Sequence, residues 1–194
     1  MVSIKQKAAL ASIVVTVVLT AAKAAVGLAS GSIAILAEAA HGLVDTAATL
    51  LTFYAVRLAD KPADDDHQYG HGKVESIAAL AETAFLFLVS GIVVTEAARR
   101  LMGGGHAVEV TPVMAALMVG VIAVDYWRVR VMRRIAEETG SHALESGALH
   151  FAADMASSAV VLAGLLFVWL GYPKADAIAA IVVAILICVM SWQL

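Results

Sequence analysis

The sequence contains one cysteine, Cys188, in 194 residues. That excludes an internal disulfide and a zinc site made of cysteines alone. A small packed residue in a membrane helix is the ordinary role for such a position. There is no basic tract, and the formal net charge is only −3, so the charge pattern offers nothing to nucleic acid. Low-complexity segments are absent, as is any repeat beyond one paired motif described below. No H-E-x-x-H occurs, which removes the helix-borne signature of zinc hydrolases. After the last apolar run the chain stops at Leu194, so no soluble domain is expected to follow.

What the chain does have is apolar length. Hydrophobic residues make up 61% of it, against roughly 45–50% in soluble domains. The excess is spread over windows of about 20 residues, the length that crosses a bilayer as a helix. An integral membrane protein is expected. The start, MVSIKQKAALAS, is basic and then apolar, as in a cleaved leader. The run over 8–29 is too long for that, and further spans follow, so it reads as a first membrane helix.

Six spans are predicted, at 8–29, 32–58, 76–98, 107–127, 143–171 and 175–192. The expected fold is an all-α six-helix transmembrane bundle, one domain over 1–194. Breakers and charges mark the connectors: SGS at 30–32, DKPADDDHQYGHGK at 60–73, GGGH at 103–106, RVRVMRRIAEETGS at 128–141 and GYPK at 171–174. Lys5, Lys7, Arg57, Lys61, Lys73, Arg128, Arg130, Arg133 and Arg134 fall on one side of such a bundle, and Arg99, Arg100 and Lys174 on the other. Positive charge gathers on the cytoplasmic side of membrane proteins, so both termini are expected there.

Two spans carry an unusual motif. HGLVD, His41 to Asp45, lies in the second, and HFAAD, His150 to Asp154, in the fifth. Residues four apart share a helix face, so each motif aims an imidazole and a carboxylate the same way. If the two helices pack together, two nitrogens and two oxygens converge, a tetrahedral set suited to Zn²⁺. Ala39, Ala40, Gly42, Ala47 and Ala48 around the first motif, and Gly147, Ala148, Ala152, Ala153 and Ala156 around the second, would allow close approach. A single intramembrane histidine could merely hydrogen-bond a neighbouring helix. Four ionisable groups are another matter, since each costs about 2.5–3.5 kcal/mol at the bilayer centre on insertion scales. A proton relay and a bundle-stabilising His–Asp pair are the alternatives within that reading. Among the other acids, Glu109, Asp125 and Asp176 near span ends read as interfacial. Glu82 in span three is unspecific, Glu38 and Glu145 could line an entrance, and Glu38 has no definite role.

The loop over 64–76, DDDHQYGHGKVES, adds Asp64, His67 and His71, which could hold a second metal ion or form a solvated connector. With this loop, GSIAILAEAAHGLVD in span two, SHALESGALHFAADMASS in span five and ADAIAAI at the start of span six, the chain resembles the cation diffusion facilitators over nearly its whole length. The resemblance implies a six-helix transporter of the bacterial inner membrane, homodimeric, with His41, Asp45, His150 and Asp154 as its transport site. It also implies a loop site at Asp64, His67 and His71, and a tie from Lys73 to a partner or a cytoplasmic domain. Two histidines with two aspartates is the family's zinc-preferring set. The ferredoxin-like cytoplasmic domain usual in the family has no counterpart in the sequence.

The expected function is therefore Zn²⁺ export from the cytoplasm by proton antiport, with Zn²⁺ as cargo and no enzymatic activity. Cadmium, cobalt, iron, manganese or nickel are alternative cargoes. A membrane-embedded zinc hydrolase needs an open ligand position and a general base, and neither is evident. A non-transporting scaffold subunit would tolerate loss of all four ligands.

Overall fold

The computed structural model describes residues 4–59, 73–104, 108–140 and 142–192. They form six helices, α1 Ile4–Ser30, α2 Ile33–Ala59, α3 Lys73–Arg99, α4 Pro112–Thr139, α5 His142–Trp169 and α6 Ala175–Ser191, with no strand among the described residues. A π-helical turn, Arg100–Gly104, extends α3. Five of the helices are long and apolar enough to cross a membrane. The sixth, α6, has 17 residues, the short end of the spanning range.

The helix ends follow from local chemistry. Gly31 at φ +68 reverses the chain between α1 and α2, and its N–H bonds back to the Gly27 carbonyl at 2.9 Å. α2 begins on a cap from elsewhere in the chain: the carboxylate of Asp176 accepts from the Ser32 hydroxyl at 2.5 Å and the Ile33 N–H at 2.8 Å. Pro112 opens α4 after an extended Thr111, where its missing N–H costs nothing. Gly140, left-handed at φ 60, closes α4 and bonds the Ala136 carbonyl.

Around the bundle α4 packs on α5, α5 on α6, α6 on α3, α3 on α2 and α2 on α1, and α2 also touches α6. One apolar cluster joins Ile35, Leu86, Met114, Met118, Val161, Leu165 and Val183 from five helices. A smaller one, with Val129, Met132, Leu144 and Phe151, belongs to α4 and α5. Between the two, along both α4 and α5, lies a polar layer. Large apolar side chains such as Leu28, Leu80 and Trp169 face outward, the arrangement expected where the surroundings are lipid tails.

Three expectations need correction. The fourth span, placed at 107–127, runs over Pro112–Thr139, and 128–139 is helix, not connector. The arginines lower the hydropathy there, but Arg128 is buried against Asp125 and α5 covers that face. Arg128 is thus no loop charge, although the topology inference survives on the other basic residues. Asp125 lies mid-way along α4 and not near a span end, and both Asp125 and Asp176 are buried, each being only 2% exposed. Finally, Gly42 and Gly147 do not close α2 onto α5, which touch only briefly. A Cβ on Gly42 would meet the Thr20 hydroxyl of α1 at 2.5 Å, and one on Gly147 would meet Met132 of α4 at 3.4 Å. They seat each motif helix on a different neighbour.

Candidate metal centre

α2, seated on α1, and α5, seated on α4, meet only briefly, and four polar side chains converge there. His41 Nε2 lies 3.4 Å from Asp45 Oδ2 on its own helix and 3.6 Å from Asp154 Oδ1 on α5. His150 Nε2 lies 3.4 Å from Asp45 Oδ2 and 3.6 Å from Asp154 Oδ2. The four groups form a closed ring in which each imidazole Nε2 faces both carboxylates. The cross pairs, 41 with 154 and 45 with 150, run in opposite chain directions, as antiparallel helices require. All four residues sit ~12–18 Å along their helices, near mid-membrane.

The spacing has a direct chemical meaning. A tetrahedral ion with bonds of about 2.0–2.1 Å places its ligand atoms ~3.3–3.4 Å apart. Ligand atoms of His41, Asp45 and Asp154 all come within 4.8 Å of one another, and His150 reaches both carboxylates from outside that group. The four ring edges match a tetrahedral ion, while the distances across the ring are longer, so the ring would contract around a small divalent cation.

A narrow cavity of about 30 Å³ opens beside the ring, lined among others by Lys23, Glu38, His41, Asp45, Asp125 and Asp154. That volume holds an ion with one or two waters. The side chains of His41, Asp45 and Asp154 are 10%, 16% and 19% exposed, whereas His150 is 40% exposed and marks the open side. His41 Nδ1 is buried with no hydrogen-bond partner among the described residues, so packing alone holds that ring's far edge.

Glu38 acquires a definite setting. It pairs with Lys23 at 2.8 Å and accepts from the Ser158 hydroxyl at 2.9 Å. Sequence reasoning passed over Lys23, although a lysine inside an apolar span was the available signal. Arg128 bonds Asp125 at 2.9 Å, the Ser12 carbonyl at 3.1 Å and the Thr16 hydroxyl at 2.7 Å, and lies 3.4 Å over the Phe151 ring. Glu82 is half-buried in α3, while Glu109 and Glu145 are exposed. The predicted loop site at Asp64, His67 and His71 lies outside the described residues, and Lys73 is an exposed first residue of α3.

Comparison with known proteins follows the same lines. Residues 9–194 match the cation efflux transmembrane domain. The chain is 35% identical over 164 residues to the cation-efflux pump FieF of Klebsiella pneumoniae subsp. pneumoniae, covering 81% of this chain and 52% of that protein. To the FieF of Serratia proteamaculans it is 33% identical over 188 residues, covering 94% and 60%. To that of Shewanella oneidensis it is 33% identical over 174 residues, covering 90% and 58%. The chain thus spans between half and three fifths of the length of these curated relatives.

Proposed function

This chain belongs to the cation efflux family, the cation diffusion facilitators, as a multi-pass protein of the bacterial inner membrane, and from that premise we propose that it exports Zn²⁺ from the cytoplasm in exchange for protons. It acts as a transporter and not as an enzyme, with residues 1–194 as one six-helix transporting domain and His41, Asp45, His150 and Asp154 as the transport site. The observation that carries the reading is the four-membered ring of 3.4–3.6 Å separations. Two nitrogens and two oxygens at that spacing suit zinc among divalent cations.

The same ring supplies the coupling. Metal binding needs neutral imidazoles, so protons and Zn²⁺ compete for one place. Each Nε2 faces two carboxylates, so a proton on it lies where a metal bond would form. Two imidazolium protons neutralise the two aspartates as fully as one divalent ion does. Exchange of one Zn²⁺ for two protons then leaves the charge of the mid-membrane site unchanged, which matters where net charge is costly. Loading is favoured on the less acidic side and release on the more acidic side. The loop residues Asp64, His67 and His71 would bind metal at the cytoplasmic entrance, and the protein would act as a homodimer.

The test is zinc flux into proteoliposomes under an imposed pH gradient. Flux should depend on the gradient and fall at least about a hundredfold in Asp45→Ala or Asp154→Ala, the scale of losing an essential ligand. Undiminished flux in either variant would remove the transport-site assignment. Competition with Cd²⁺, Fe²⁺, Co²⁺, Ni²⁺ and Mn²⁺ in the same vesicles ranks the cargo.

A further inference from the structure

Besides His41, Asp45 and Asp154, the cavity is lined by two further charged pairs, Lys23 with Glu38 and Arg128 with Asp125. Two cations against the four carboxylates Glu38, Asp45, Asp125 and Asp154 leave two negative charges when both imidazoles are neutral. That is the complement of one divalent cation. Without Glu38 and Asp125 the lining would be neutral, and a lysine and an arginine would stand beside carboxylates needed for metal.

The two cations are not equally restrained. Arg128 is held from four directions, by Asp125, the Ser12 carbonyl, the Thr16 hydroxyl and the Phe151 ring. Lys23 has Glu38 at 2.8 Å and a long contact to the Ser158 hydroxyl at 3.5 Å. Ser158 lies one helical turn beyond Asp154 on the same face of α5. A lysine ammonium on its flexible four-carbon stem, once released from Glu38, has the Asp154 carboxylate among its acceptors in the cavity, on the same face of α5 as its Ser158 contact.

We propose that Glu38 is a positioning residue for cation binding: with Ser158 it holds the Lys23 ammonium away from Asp154, so that both ligand carboxylates stay available to a divalent ion. The inference rests on His41, Asp45, His150 and Asp154 being the cation site. It also separates Glu38 from an ordinary strut between α1 and α2. A strut affects stability, whereas a sequestering carboxylate affects affinity through the cation it restrains.

The experiment is zinc titration by calorimetry of the purified full chain in detergent, with a thermal unfolding curve for every variant. Glu38→Gln should weaken zinc binding roughly tenfold, within the usual range for coupled neighbours, because Lys23 then pairs with Asp154. Adding Lys23→Gln should restore affinity to within about threefold of the parent, and Lys23→Gln alone should bind at least as well as the parent. Glu38→Gln binding like the parent would overturn the proposal, as would a double variant as weak as the single one. A roughly tenfold loss in Lys23→Gln alone, together with a lowered unfolding midpoint, would make the pair a strut and overturn it too. Asp154→Ala is the control: if it binds zinc like the parent, the cation-site reading fails on its own evidence, and this proposal with it.

Discussion

At the residue scale, the proposed exchange makes protons and a divalent ion competitors for the same two carboxylates. Histidine titrates in the range where cells differ across a membrane, so acid should displace metal. The sign follows from the ligand chemistry: metal needs the unprotonated imidazole, and lowering pH supplies the competitor. Zinc affinity measured by calorimetry from about pH 8 to about pH 5 should fall steadily, by up to about a hundredfold per pH unit where both imidazoles protonate. A flat profile would show that no proton is exchanged. The motif behind this expectation was plain in the sequence, because HGLVD and HFAAD each place an imidazole and a carboxylate on one helix face. The partners of Glu38 were not, since Lys23 and Ser158 lie on other helices and no spacing rule connects them.

At the scale of elements, the bundle is joined at points where backbone and side chain meet closely. Asp176 at the start of α6 caps the start of α2 through Ser32 and Ile33. Replacing it with alanine strands a buried hydroxyl and a helix N-terminus, at a cost of about 1–3 kcal/mol. The unfolding midpoint in detergent should drop accordingly, while Asp176→Asn, which retains an acceptor oxygen, should drop less. Gly164 sets the approach of α5 to α6: an added Cβ would stand 2.5 Å from the Ala179 Cβ, closer than carbon atoms pack. Gly164→Val should therefore lower the midpoint by an amount worth about 1–3 kcal/mol, with Gly120→Val, which meets nothing within 4 Å, as the comparison. The existence and order of the helices could be read from hydropathy. The true reach of α4 could not, because a window average counts Arg128 as polar whether or not Asp125 neutralises it.

At the scale of the whole molecule, the site and the fold are linked through binding. An ion that bridges α2 and α5, which otherwise touch only briefly, should stabilise the bundle by mass action. At a zinc concentration about a hundred times its dissociation constant this is worth about 2.7 kcal/mol. The unfolding midpoint should rise with zinc and return on chelation, and Asp154→Ala should abolish the rise. Six crossings would also place the two ends of the helical region on one side. Reporter fusions before α1 and after α6 should both report the cytoplasm, and opposite signals would remove one of the six spans.

The sequence by itself determined the membrane class, the six apolar segments and the two H-x-x-x-D faces, because each depends on hydropathy or on spacing within one helix, while the resemblance to the family rested on several motifs along the chain. Only the tertiary structure decided how the faces meet. It showed that α2 packs chiefly on α1 and α3 and α5 on α4 and α6, with only a brief contact between α2 and α5, and that the four side chains meet there at separations of 3.4–3.6 Å. It also decided which buried charges cancel. Lys23 with Glu38, Arg128 with Asp125 and Asp176 with the head of α2 are contacts between groups 3 to 144 residues apart in the chain. All but the Arg128–Asp125 pair, on one helix, join different helices, and a charge in an apolar segment has no sign of its partner until the helices are packed.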